Sequence, residues 1–251
     1  MGVALVTGGT RGIGLAIAQG LLKAGHSVSV LARNTPSGTA WPDDRRLMHV
    51  RGDARRIDDL RHYVAATVER FGPVGILVNN VGAIAPRAVD ILDVPQSDFD
   101  DAISTNLRAG FFLTQIVARQ MIETVGVVGA VRDPNNQCAP TIVFITSSSA
   151  AMPSSVRAAY GIAKAGASMM TQLFAQRLAP HGIAVYEVRP GPIARTSHET
   201  DSWARRRIPV GEYPTADDVM KIVTSVISLP TIFATGTVIK VDGGLEINRL
   251  E

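Results

Sequence analysis

Short apolar runs alternate along the chain with longer segments in which apolar residues recur every three to four positions. The runs Val3 to Val6, Ser27 to Leu31, Ile76 to Val78, Thr141 to Ile145, Ala184 to Val188 and Val238 to Val241 are too short for helices and rich in β-branched residues. That pattern predicts strands buried on both faces of a parallel sheet. The segments Gly14 to Ala24, Ile57 to Phe71, Phe99 to Glu123, Ala159 to Ala179 and Thr215 to Ser228 carry the helical period. Gly25, Gly72 and Gly182 close three of them, as glycine does where a helix must end in a left-handed residue. Regular alternation of strand and helix predicts the α/β class: one domain over residues 1–251, with a doubly wound parallel sheet flanked by helices. One stretch breaks the rhythm. Thr124 to Pro140 contains Gly126, Gly129, Pro134, Asn135 and Asn136, and predicts a long connection of the kind that is functional or mobile.

Composition narrows the function. Hydrophobic residues make up 46% and charged residues 19%, which suits a packed core and excludes extended disorder. The 25 basic residues nearly balance the 22 acidic ones, and no aromatic residues interleave with the arginines as stacking platforms, so the basic clusters are read as a solvated surface and no nucleic-acid partner is expected. Cys138 is the single cysteine and no Cys/His group has zinc-ligand spacing, so neither a disulfide nor a metal is expected. No apolar run has the length of a membrane span, and Met1 to Thr10 lacks the form of a signal peptide. A cytoplasmic location is therefore expected.

Chemistry enters at Thr7-Gly8-Gly9-Thr10-Arg11-Gly12-Ile13-Gly14, directly between the first strand and the first helix. Glycines there let the backbone take positive φ and approach a pyrophosphate, while the helix N-terminus offers free N–H groups and partial positive charge. The spacing G-x-x-x-G-x-G differs from the commoner G-x-G-x-x-G, and points to another variety of dinucleotide fold. After the second strand stands Arg33, where an acidic residue would accept from the adenosine ribose of NAD; an arginine there suits the 2′-phosphate of NADP. Arg11 adds a second guanidinium. NADP(H) is the expected cofactor, with NAD(H) the alternative.

Tyr160 and Lys164 are four residues apart on a helix and so share a face. A phenol with an ordinary pKa of about 10 needs a nearby cation before it can exchange protons readily at neutral pH. Lys164 can supply that charge. Ser147 follows the strand ending at Ile145, at the edge where a parallel sheet presents its ligands, and could donate to a substrate oxygen that gains negative charge.

Taken together, the Thr-Gly-x-x-x-Gly-x-Gly turn, Asn79-Asn80-Val81-Gly82, Asn106, Ser147, Tyr160-x-x-x-Lys164 and Pro190-Gly191 resemble, in order and spacing, the short-chain dehydrogenase/reductase family, over nearly the whole chain. The resemblance implies a Rossmann-type fold in a homodimer or homotetramer. It implies that Tyr160 exchanges the proton, Ser147 polarises the carbonyl, Lys164 binds the nicotinamide ribose and lowers the Tyr160 pKa, and Asn106 anchors a water leading to Lys164. It further implies that Gly8, Thr10, Arg11, Gly12, Ile13 and Gly14 hold the pyrophosphate. Asp53 and Ala54 would meet adenine, Asn80 and Gly82 the adenine ribose side, and Pro190, Gly191 and Ile193 the carboxamide. Val241-Asp242-Gly243-Gly244 resembles the family's C-terminal end at a subunit interface, and residues 194–213 fall where the family has a variable substrate lid. Ala54 stands where Val or Leu is usual, Val81 replaces the common Ala, and Thr196 lies one position later than the family's threonine. Asn79 reads as a strand-bridging group.

The motif wording is similar to 3-oxoacyl-[acyl-carrier-protein] reductases, which makes acyl carrier protein a candidate partner, although His181 stands where those enzymes often have Arg. The alternatives are an enzyme acting on a free small carbonyl, a sugar alcohol or a steroid, and a cofactor-sensing regulator without turnover. The intact Ser147, Tyr160 and Lys164 favour an enzyme.

Overall fold

The computed structural model describes residues 2–35, 41–84, 87–125, 139–194, 201–229 and 231–247. Seven parallel strands form one sheet: β1 (Val3–Thr7), β2 (Ser27–Ala32), β3 (Leu47–Arg51), β4 (Val74–Asn79), β5 (Thr141–Ile145), β6 (Ala184–Pro190) and β7 (Val238–Val241). Their order across the sheet is β3-β2-β1-β4-β5-β6-β7. Both β2 and β4 pair with β1, so the winding reverses between β1 and β4 and leaves a crevice at the C-terminal ends of those strands.

The helices are α1 (Gly12–Lys23), α2 (Ile57–Phe71), α3 (Gln96–Ile103), α4 (Ala109–Val125), α5 (Ala158–Leu178), α6 (Ser202–Arg207) and α7 (Ala216–Ile227). Two apolar layers enclose the sheet. One joins Leu5, Leu77, Ile142 and Phe144 to α2, α4 and α5; the other joins Val6, Val30, Val78 and Tyr186 to α1 and α7.

Three departures from the sequence reading have physical causes. β3 is an edge strand, half-exposed along most of its length, and its Leu-Met-His-Val-Arg sequence has no clean period. α6 has six residues and three consecutive arginines, too few apolar positions to show a helical face; Asp201 caps it by accepting from the Ala204 N–H at 2.7 Å. The single helix expected over 99–123 is divided by a π-turn at Ser104–Arg108. Within that turn the Asn106 amide nitrogen donates to Ala102 O and Ala83 O, both at 3.0 Å, and a side chain that bonds back to the backbone in this way loosens the helical ladder.

Most of the connection expected over 124–140, Cys138 included, lies outside the described residues, as do Thr196 and residues 195–200 of the expected lid. The rest of that lid is held in place: Ala204 and Ile208 pack on Leu245, and the Val210 N–H donates to Gly243 O at 3.1 Å. Among the described residues no helix is long and apolar enough to cross a membrane, and no group of three or more His, Cys, Asp or Glu could hold a metal ion.

Candidate active site

The glycine turn is built for close backbone approach. Gly8 and Gly12 have φ of +67° and +54°, which L side chains rarely adopt. A Cβ at Gly14 would run into Gly8 O and the Asn80 amide, so α1 can start here only on glycine. The turn is locked from β4: the Asn80 side-chain amide donates to Thr7 O at 2.9 Å, and the backbone N–H groups of Asn80 and Val81 both donate to the Thr7 hydroxyl at 3.0 Å. Asn80 thus shapes the turn. Asn79, expected to bridge strands, instead ties β4 to α4, donating to Thr114 Oγ1 at 2.9 Å.

A dinucleotide fits this cradle. The N-terminus of α1 has no side-chain cap and no acidic residue in its first turn, and a Cβ at Gly12 would meet open space. Arg11 and Arg33 are exposed beside the turn. Gly82 is tight in the other direction, since a Cβ there would lie 3.1 Å from Asn106 Oδ1 and 3.3 Å from Lys164 Nζ. Ala54 is buried in the core cluster that also holds Tyr63 and Val64, and the Asp53 carboxylate is engaged by Arg55 at 2.7 Å. That guanidinium, with a smaller contribution from Arg33, holds the Asp53 carboxyl below its ordinary value. Any contact from Asp53 to adenine must therefore share the carboxylate with Arg55. At the other end, Pro190 closes β6, the Gly191 N–H donates to Val241 O at 2.9 Å, and Ile193 packs against the core.

The structure brings Ser147, Tyr160, Lys164 and Asn106 to the C-terminal end of the sheet. Lys164 is buried; its ammonium donates to Ile145 O at 3.0 Å and sits 5.7 Å from the centre of the Tyr160 ring. Burial lowers its pKa to about 8, against a smaller upward pull from Glu187. Burial raises the Tyr160 phenol, while a hydrogen bond from Ser147 and the positive charge of Arg157 draw it back down. Arg157, three positions before Tyr160, adds a second positive charge near the phenol, and the sequence reading did not single it out. Asn106 accepts from the Ala83 N–H at 3.0 Å and donates both amide protons to backbone carbonyls, so its side chain ties the π-turn to the loop after β4.

Beneath the site lies a buried ionic network that sequence reasoning missed. The Glu187 carboxylate is fully buried and accepts from Thr146 Oγ1 at 2.6 Å, Ser168 Oγ at 2.6 Å and Arg189 Nε at 2.7 Å. Arg189 also reaches Ser168 at 3.0 Å and Glu246 at 3.3 Å, and Glu246 pairs with Lys240 at 3.0 Å. Thr146 precedes Ser147, and Ser168 lies one helical turn beyond Lys164, so the network braces both catalytic candidates from below. A Glu and an Arg two positions apart inside an otherwise apolar strand were the available signal.

Residues 2–207 match the family model for short chain dehydrogenase. L-rhamnose 1-dehydrogenase (NAD(P)(+)) of Azotobacter vinelandii is 31% identical, across 97% of this chain and 96% of that one. A solved 3-oxoacyl-[acyl-carrier protein] reductase from Brucella melitensis superposes with a TM-score of 0.87 and 35% identity, covering 99% of this chain and 98% of the other. A 3-oxoacyl-[acyl-carrier protein] reductase from the same organism, solved in complex with NAD, gives a TM-score of 0.85 and 34% identity with the same coverage. With the parallel sheet, its crevice and this likeness along its length, the chain belongs to the short-chain dehydrogenase family and is an oxidoreductase acting between an alcohol and a carbonyl.

Proposed function

We propose that the chain interconverts a carbonyl and an alcohol with NADP(H), and that Tyr160 moves the proton. The observation that carries this reading is the meeting of Ser147, Tyr160 and Lys164 at the C-terminal end of the sheet, with the buried Lys164 ammonium fixed on Ile145 O and 5.7 Å from the centre of the Tyr160 ring. When bound, the nicotinamide cofactor supplies or takes up the hydride. The Tyr160 hydroxyl gives its proton to the substrate oxygen as that oxygen gains charge, and Ser147 donates a hydrogen bond to the same oxygen. Lys164, fixed through Ile145 O, holds the nicotinamide ribose and stabilises the phenolate left behind. Asn106 keeps the adjoining loop in register and is assigned the water leading protons to Lys164.

Gly8, Thr10, Arg11, Gly12, Ile13 and Gly14 would hold the pyrophosphate; Asp53, Ala54, Asn80 and Gly82 the adenosine end; Pro190, Gly191 and Ile193 the nicotinamide end. Arg11 and Arg33 support NADP(H), because guanidinium groups suit a 2′-phosphate and no acidic residue follows β2 in their place. Exposed Ile162, Met169 and Leu173 on α5, beside Phe111 on α4, support self-association as a homodimer or homotetramer. Reduction of a 3-oxoacyl thioester is one candidate activity, supported by likeness to the Brucella structures. The test is absorbance of NADPH and of NADH against a panel of ketones, sugars and an acyl thioester. Faster turnover with NADPH is expected; equal rates with NADH refute the cofactor assignment, and no turnover on any substrate favours a cofactor-sensing protein.

A further inference from the structure

A groove outside the cofactor crevice ends on Tyr160. Its walls are aliphatic, from Ile84, Val89, Val94 and Val156, and its charged lining comprises Arg87, Arg157 and Asp98. The two arginines arrive from different segments, the loop after β4 and the turn leading into α5. Those segments are tied together where the Val89 N–H donates to Val156 O at 3.2 Å, so Arg87 and Arg157 flank a fixed junction. Both side chains are exposed. Arg46, Arg55, Arg61 and Arg189 each close an ion pair, whereas Arg87 and Arg157 close none among the described residues. Asp98 is turned to Ser97, whose hydroxyl donates to it at 3.4 Å. Arg157 and Tyr160 line the same groove, so a molecule bound at Arg157 lies in the space that reaches the phenol.

We propose that Arg87 and Arg157 form an anion subsite, and that the substrate is a ketone or secondary alcohol carrying a free carboxylate at the far end of an apolar chain. This rests on Tyr160 being the proton-transfer residue. A guanidinium pairs a carboxylate through two parallel N–H donors, which gives both attraction and orientation. Apart from the two arginines, Asp98 and Tyr160 itself, the side chains that line the groove are aliphatic, so they offer few partners to a row of hydroxyl groups, and a polyol bound there would leave most of its polar atoms unsatisfied. They suit a hydrocarbon spacer. The subsite would therefore sort carbonyl compounds by what they carry away from the reacting carbon.

The test measures kcat/KM with NADPH for 4-oxopentanoate, 5-oxohexanoate and 6-oxoheptanoate, for the methyl ester of each, and for acetoacetyl-pantetheine. Each is run with the wild type, Arg87→Gln and Arg157→Gln. The readout is the ratio of acid to matched ester, because loss of the Arg157 charge also acts on the phenol and so changes both alike. The wild type should favour at least one acid over its ester by about tenfold, and each substitution should bring that ratio close to one, as expected for one charge-assisted contact. Esters used as well as acids, a ratio unmoved by either substitution, or preference for the pantetheine thioester over every acid overturns the subsite while leaving the oxidoreductase reading intact. Absence of turnover on acids, esters and thioester alike overturns the subsite, whereas the Tyr160 reading falls only if the wider panel of ketones and sugars is silent as well.

Discussion

Replacing Glu187 with Gln keeps the shape of the side chain and removes its charge. Three donors converge on that carboxylate within 2.7 Å, and its side chain has no exposed surface. Each hydrogen bond to a charged group contributes about 1.5 to 3 kcal/mol. The glutamine oxygen still accepts from Thr146 or Arg189, and Ser168 can turn its hydroxyl to accept from the new amide, so part of the network survives as neutral bonds. Removing one partner of a buried pair typically costs about 3 to 5 kcal/mol. Here Arg189 keeps Glu246 at 3.3 Å and is 11% exposed, which places the expected loss near the lower end, about 3 kcal/mol. For a chain of this length that corresponds to a fall in Tm of about 6 to 12 °C, read by calorimetry. The double variant with Arg189→Gln should be less damaged than the sum of the singles by about 1 to 3 kcal/mol, because the two side chains share one network. A loss below about 1 kcal/mol for Glu187→Gln, or strict additivity in the double variant, would refute the claim that this network braces the site.

Three further outcomes follow from the site. Lys164 has a folded pKa of about 8 against 10.5 when exposed, so between those values the unfolded chain binds more protons and stability rises with pH. In urea unfolding of the cofactor-free protein, the wild type should gain about 2 kcal/mol relative to Lys164→Met from pH 8 to pH 10; parallel curves would contradict the burial of a charged ammonium. Gly14→Ala should weaken NADPH binding at least about tenfold, measured by fluorescence titration, since the new methyl must displace the carbonyl of Gly8; unchanged affinity would disprove the close approach. Arg33→Asp should move the NADPH-to-NADH ratio of kcat/KM toward NADH by at least about tenfold, and an unmoved ratio would remove Arg33 from the cofactor assignment.

What could be read from the chain was what local pattern controls. Apolar runs located six strands, five of them because buried parallel strands need no polar alternation and the sixth, the half-exposed edge strand β7, through its β-branched residues, and the four-residue spacing put Tyr160 and Lys164 on one face of α5. Contacts between residues distant in sequence could not be read. Glu187 makes sense inside the sheet only once Thr146, Ser168 and Arg189 surround it. The π-turn that divides the expected long helix depends on where Ala83 lies relative to Asn106. Asp53 matched a motif, but its bidentate engagement by Arg55 is a matter of side-chain geometry. Arg157 looked like one more solvated arginine until the fold placed it with Arg87 and Tyr160 along one groove.

The central claim is that Tyr160 transfers the proton. Its most direct test is steady-state NADPH oxidation by Tyr160→Phe, with NADPH affinity measured on the same preparation. Loss of the hydroxyl removes the proton donor and leaves the glycine turn untouched, so turnover should fall at least about 100-fold while binding stays within about threefold of wild type. Turnover near the wild-type rate in a variant that binds NADPH normally would contradict the account.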